Sequence, residues 1–389
     1  MNRILFSVLL FINISAFGQT FQRYKTPKDT VFSSKYLKYD KEISIILPRE
    51  YQQNLPNKFP LIVVFDSQNK MSYNYILQTI DYLTSNSAMP ACVVVGIKSN
   101  QNKRVRETQP KINDSTAFGE KNEQFIFDEL MPFLKSNYKT NGFNTLIGHS
   151  RYGFFTTYLM TKRPNEINAV IALSPFFDEK NVNLVDSVKN KFINKKLSNK
   201  LYYRFGIGND FVADLKAMQE VLKLQTTNGF SADFNVKAYS FLHADHYTTP
   251  GLIISQALYE IFEFWGEKSD AYQKYDKKVV EDFDKLNTTI QQHYGAPIPV
   301  SINILNGKAQ EFRDKGEYQQ ALKTFELLLK NYPNFSEIHL QIAKTQKLLK
   351  IPFEKSLKDF EVNLSKSIFY TVAEKQELLL ELEEFRKSK

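Results

Sequence analysis

The sequence predicts an α/β fold: a mostly parallel sheet flanked by helices, followed by a small all-α region. Three observations carry that prediction. Apolar runs at Thr145-Leu146-Ile147, Val170-Ile171-Ala172-Leu173 and Leu201-Tyr202-Tyr203-Arg204-Phe205 each lead into a loop and then a helix-like segment. That alternation is the βαβ signature of a parallel sheet. Gly148-His149-Ser150 closes the first run and opens a helical stretch, Arg151 to Lys162. From about residue 302 the apolar spacing becomes that of packed helices, with no further strand signal.

Taken in order, the chain opens with Arg3, an apolar stretch from Ile4 to Phe17, and small residues Ala16 and Gly18. This is the pattern of a secretory signal peptide over residues 1–18, with cleavage expected between Gly18 and Gln19. No cysteine lies there to carry a lipid, and no other run is apolar enough to span a bilayer. The expected location is the periplasm or outside the cell. A strand-like apolar run around Cys92 follows, and then the three runs named above. A last strand, Phe234 to Phe241, ends in Leu242-His243-Ala244-Asp245-His246, and a helix is expected from about Pro250 to Trp265.

A boundary is expected near residue 266, giving a first domain over 19–266. The charged linker 267–300 ends in the breaker Gly295-Ala296-Pro297-Ile298-Pro299. In 301–389, Leu305, Ala309, Phe312, Gly316, Tyr318, Ala321, Phe325, Leu328 and Pro333 fall at tetratricopeptide-like spacing. A weaker second copy contains Ala343, Phe353, Leu357 and Phe360, and a closing amphipathic helix runs from Thr371 to Phe385. Two such units are too few to stand alone, so they are expected to pack on the first domain and to offer a face to a protein partner.

Composition narrows the function classes. The net charge of +9 arises from lysines interleaved with acids along the whole chain, without a basic block bearing alternating aromatics. Nucleic acid is therefore not the expected partner. Cys92 is the single cysteine, so no internal disulfide and no cysteine-based zinc site can form. His243, Asp245 and His246 could be read as metal ligands, but no further acid or histidine in the domain completes the set. No metal or cofactor is expected.

The chemistry-bearing residues appear as Ser150, Asp210 and His246, each beyond the end of a successive strand. Open α/β sheets place their chemistry there. Serine at a sharp strand-to-helix turn has its hydroxyl raised above the sheet, and the plain alternative is a helix N-cap. Of the five histidines, His149 flanks the serine and is expected to point away, while His293 and His339 lie in the linker and the repeats. His246 is preferred over His243 as the base. Asp210 is preferred as the acid, with Asp214 the substitute if Asp210 only caps a helix and Asp178 a poorer option.

Residues 30–265 resemble the esterase family of α/β-hydrolases that includes esterase D-like and enterochelin esterase-like enzymes. The serine–acid–histidine chain order fits that fold. So do Ile43-Ser44-Ile45-Ile46-Leu47-Pro48 with Tyr51, Phe59 to Asp66, Val93 to Ile97, Arg104 to Pro110, and Asp128-Glu129-Leu130-Met131-Pro132. The resemblance implies a serine esterase without cofactor, cleaving simple acyl, siderophore or polysaccharide-linked esters through an acyl-enzyme. It implies an oxyanion hole formed by the N–H of Arg151 and one near Ser67 or Gln68. Arg104 and Arg106 resemble the family's arginine pair, and would either steer a substrate or form ion pairs with Glu107 or Asp128. The sequence departs from Gly-x-Ser-x-Gly at Tyr152, with glycine one step later at Gly153. The tyrosine is expected to turn into the substrate pocket or to pack behind the helix, the pocket being slightly preferred. If the departure marks a lost reaction, the chain is instead a non-catalytic module that binds a ligand or partner.

Overall fold

The computed structural model describes residues 21–52, 57–110, 116–179, 182–209, 211–227, 229–274 and 279–387. The expected signal peptide and Asp210 lie outside the described residues. The strands are β1 (Lys28–Ser33), β2 (Asp40–Ile46), β3 (Phe59–Phe65), β4 (Val93–Ile97), β5 (Thr140–His149), β6 (Ala169–Leu173), a small hairpin β7 (Asp178–Glu179) and β8 (Val182–Asn183), β9 (Leu201–Ile207) and β10 (Phe234–Ser240). Eight of them form one sheet in the order β1-β2-β4-β3-β5-β6-β9-β10. From β4 to β10 every pairing is parallel, while β1–β2 and β2–β4 are antiparallel.

Between the strands run α1 (Lys70–Ser85), α2 (Gln101–Thr108), α3 (Gly119–Gln124), a π-helical turn (Phe125–Leu130), α4 (Met131–Asn137), α5 (Arg151–Lys162), α6 (Leu184–Phe192), α7 (Val212–Thr227) and α8 (Thr249–Gln273). Alternate residues of each strand face opposite sides of the sheet, and the two cores divide accordingly. Ile62, Val64, Ile147 and Ile171 pack with α1 and α8. Leu61, Val63, Phe65, Leu146 and Val170 pack with α5, α6 and α7.

Helix α8 does not stop at Trp265 but runs through Gly266 to Gln273. A glycine inside a helix costs about 1 kcal/mol. Trp265, Ser269 and Tyr272 are buried on the same helix, and burial of one such large side chain outweighs that cost. Helix α9 (Val279–Tyr294) follows. The expected linker is therefore built into the core: Ile290, Tyr294, Ala296, Ile298 and Val300 are buried, and Trp265 Nε1 donates to the Pro299 carbonyl at 3.1 Å.

The C-terminal region consists of α10 (Ile302–Asp314), α11 (Tyr318–Asn331), α12 (Glu337–Leu348), α13 (Glu354–Lys366) and α14 (Val372–Lys387). Gly316, at φ 76°, turns the chain after α10, and the Glu317 N–H closes back on the Phe312 carbonyl at 2.9 Å. That is the Schellman bond that ends a helix at a left-handed glycine. Leu305, Phe312, Phe325 and Leu328 join the same core as α8 and the sheet, whereas Leu357, Phe360, Leu378 and Leu382 form a small core of their own.

Candidate active site

Ser150 stands between β5 and α5 at φ 58°, ψ −116°, a conformation few non-glycine residues adopt. It occupies the N-cap position yet makes no capping hydrogen bond with its side chain. Its backbone is held from both sides: the N–H donates to the Leu173 carbonyl and the carbonyl accepts from the Phe154 N–H, each at 2.9 Å. The turn is tight enough that a Cβ on Gly148 would lie 2.2 Å from the Tyr152 carbonyl oxygen. A Cβ on Gly153 would sit 3.1 Å from Pro175, so Gly153 takes the close approach usually made one residue earlier.

The serine opens into a cleft of about 750 Å³ whose walls include Gln68, Arg104, His149, Arg151 and His246. The loop carrying His246 is shaped by Asp245. One Asp245 oxygen accepts from the N–H groups of Tyr247 (3.0 Å) and Thr248 (2.8 Å) and from the Thr248 hydroxyl (2.8 Å). Bonds from Thr248 and then Tyr247 hold the Asp245 carboxyl below its ordinary range. Asp245 Oδ1 is thereby committed to the turn.

His149, expected to point away, instead lines the cleft. Its Nε2 lies 2.9 Å from the His246 carbonyl oxygen, and the two rings are 4.8 Å apart. Burial pushes its pKa down to about 4, so the ring is neutral near pH 7 and Nε2–H donates to that carbonyl. His149 thus ties the end of β5 to the loop that carries His246. Because the unfolded state binds a proton near pH 6.5 and the folded state only near 4, its contribution to stability is full above 6.5. It falls away as pH drops towards 4, by about 3 kcal/mol at most. His149→Gln keeps a donor without titrating, so its urea midpoint should decline less than wild type between pH 7 and 4.5. Parallel declines would refute this account.

Two expected residues are displaced from their roles. The Ser67 N–H donates to the Ile97 carbonyl at 3.1 Å and the residue is fully buried, so that amide is not available to an oxyanion. Gln68, one residue on, lines the cleft instead. Tyr152 does not enter the cleft. Its ring is fully buried and stacks on Phe65 at 4.8 Å, and its hydroxyl donates to Glu107 Oε2 at 2.9 Å. Turning the ring outward would strip both the stack and a buried charge-assisted bond. Tyr152→Gly should therefore cost about 3–5 kcal/mol of stability. The ratio of rates on acetyl and bulky aromatic esters should stay unchanged, as melting and rate measurements on both esters would check.

Arg104 pairs with neither Glu107 nor Asp128. Its Nε and Nη2 lie 2.6–3.0 Å from the Asp66 carboxylate, and Nη2 also reaches the His149 carbonyl at 3.3 Å. Arg106 donates to the Thr116 carbonyl and covers the Phe118 ring. Asp214 accepts from the Phe177 N–H at 3.1 Å and is not among the cleft residues. Asp178 is exposed in the small hairpin.

A serine at a strained strand-to-helix elbow, over a mainly parallel eight-stranded sheet, defines an α/β-hydrolase fold. Residues 34–292 match the family described as Putative esterase, and the chain belongs to that family. No curated protein matches its sequence. Among solved structures it is similar to an uncharacterised protein from Capnocytophaga ochracea (TM-score 0.57, 18% identity, 92% of this chain and 99% of that one). An IroE-like serine hydrolase from Shewanella oneidensis (0.62, 18%, 78% and 98%) and the siderophore hydrolase EstB from Aspergillus nidulans (0.51, 15%, 64% and 98%) share the fold.

Proposed function

We propose that this chain is an exported serine esterase that works through an acyl-enzyme. The observation that carries the reading is the shared cleft: Ser150, in a strained elbow with no cap to make, and His246, on a loop held by Asp245 and His149, line the same cavity. In this reading Ser150 Oγ attacks the acyl carbon while His246 takes its proton, then returns it to the departing alcohol. Asp210 fixes the tautomer of that histidine. The N–H of Arg151, the first residue of α5, and that of Gln68 receive the oxyanion. Water then repeats the attack on the acyl-serine, with His246 again as base.

The sequence departure at Tyr152 supplied the argument for a binding-only module, and that argument weakens once the ring is in the core and Gly153 makes the close approach. The substrate is an ester, free or attached to a polysaccharide, met in the periplasm or outside the cell. An alkyl fluorophosphonate tests the mechanism. The expected result is one adduct, mapped by mass spectrometry to Ser150. A folded protein that takes no adduct would remove the proposal.

A further inference from the structure

The departure at Tyr152 leads to a buried polar cluster beneath the cleft. Glu107, at the end of α2, is fully buried, and its Oε2 accepts from Lys41 Nζ at 2.7 Å, Tyr152 at 2.9 Å and Ser99 Oγ at 3.1 Å. Its other oxygen accepts from the Tyr39 hydroxyl. Burial opposes its ionisation, but the Lys41 charge and the bonds from Lys41, Tyr39 and Tyr152 outweigh that and hold the carboxyl below its ordinary value. The Ser99 Oγ and Tyr152 hydroxyl are 2.5 Å apart.

Two branches leave this cluster. One runs through Ser99, whose N–H donates to the Gln68 side-chain oxygen at 2.8 Å, while Gln68 Nε2 donates to Asp66 at 2.9 Å. The other runs through Tyr152 to the first turn of α5, where Arg151 is its neighbour. The branches end at the two residues whose backbone N–H groups were assigned above to the oxyanion, the first through the Gln68 side chain and the second through the chain link from Tyr152 to Arg151.

We propose that Glu107, through Tyr152 and Ser99, is a positioning residue that sets the spacing between the Arg151 and Gln68 amides. The proposal rests on the serine-esterase reading and adds to it a residue that touches neither substrate nor acyl group. An oxyanion hole acts only when both donors lie at hydrogen-bond distance from the developing charge, and a shift near 1 Å costs about 10²-fold. Backbone amides cannot adjust individually, because each moves with its turn. A charge locked between the two turns fixes both against one reference. This accounts for tyrosine where glycine is usual: glycine would leave α5 without a bond to Glu107.

The test uses Tyr152→Phe, which keeps the ring against Phe65 and removes only the hydroxyl, together with Ser99→Ala and Glu107→Gln in the full chain. For a short acyl ester, kcat should fall about tenfold in Tyr152→Phe and about 10²-fold in Glu107→Gln, with KM within twofold of wild type. Inhibition by a boronic acid, which forms a tetrahedral anion on Ser150 Oγ, should weaken by the same factor as kcat. A merely structural role would not make boronate affinity track kcat at constant KM. If Glu107→Gln fails to fold because Lys41 is left unpaired, Tyr152→Phe and Ser99→Ala decide. Folded variants with wild-type kcat, or with a change in KM alone, overturn the proposal. A wild-type protein that neither turns over ester nor takes the phosphonate overturns the esterase reading instead.

Discussion

Ser150→Ala is expected to lower ester turnover by on the order of 10⁴-fold or more, with the melting temperature held or raised. The side chain carries no capping bond, so its loss removes no contact that holds α5. The backbone φ of 58° is strained for alanine as it is for serine, and no new clash is introduced. His246→Ala should match it, because nucleophile and base act as one unit and their losses do not add. Asp210→Asn should cost less than either. Initial rates on a para-nitrophenyl ester measure all three. Turnover near wild type in Ser150→Ala would sink the nucleophile, and a larger loss in Asp214→Asn than in Asp210→Asn would move the acid.

Truncation at Pro299 should have the largest effect on the fold. Ile302, Ile304, Leu305, Phe312, Phe325, Leu328 and Ile338 are buried in the same core as Trp265, Ile254 and the sheet residue Ile147. At about 2 kcal/mol for each large side chain returned to water, the loss rivals the entire stability of a typical domain, about 5–15 kcal/mol. The shortened chain should be recovered mainly as insoluble material, although Ser150 and His246 precede the cut. Soluble protein with wild-type melting behaviour would show that the first 299 residues stand alone. A milder cut after Leu349 should be tolerated far better, since α13 and α14 bury most of their apolar residues in the small separate core.

Seven of the eight sheet strands were legible, as short apolar runs or as segments that match the family's landmarks, whereas β1, polar and largely exposed at the edge of the sheet, was not. The elbow was legible because Gly148 and Ser150 answer to local geometry: a turn that cannot admit a Cβ, and a serine at the strand end. What failed to show in sequence depends on partners far along the chain. Tyr152 was drawn towards the pocket because the buried carboxylate that takes its hydroxyl lies 45 residues away. Ser67 was proposed for an amide that the neighbouring strand already occupies. Arg104 finds Asp66 across 38 residues, where Glu107 or Asp128 had been expected. The domain edge at 266 looked sound locally, but helix α8 is set by the apolar face it buries, and that face continues to Tyr272. His149 carried a signal that was read too narrowly: a histidine beside Ser150 can hold the His246 loop by a bond to that loop's backbone.

The chain contains one tryptophan, and Trp265 is fully enclosed on α8 with its indole N–H on the Pro299 carbonyl. The protein therefore carries a natural fluorophore at the seam between catalytic sheet and C-terminal helices. Its emission reports whether that seam is closed, free of any second indole to blur the signal. Red-shifted light would announce water at the joint, and its timing against the loss of ester turnover would tell whether the two halves part before the active site does.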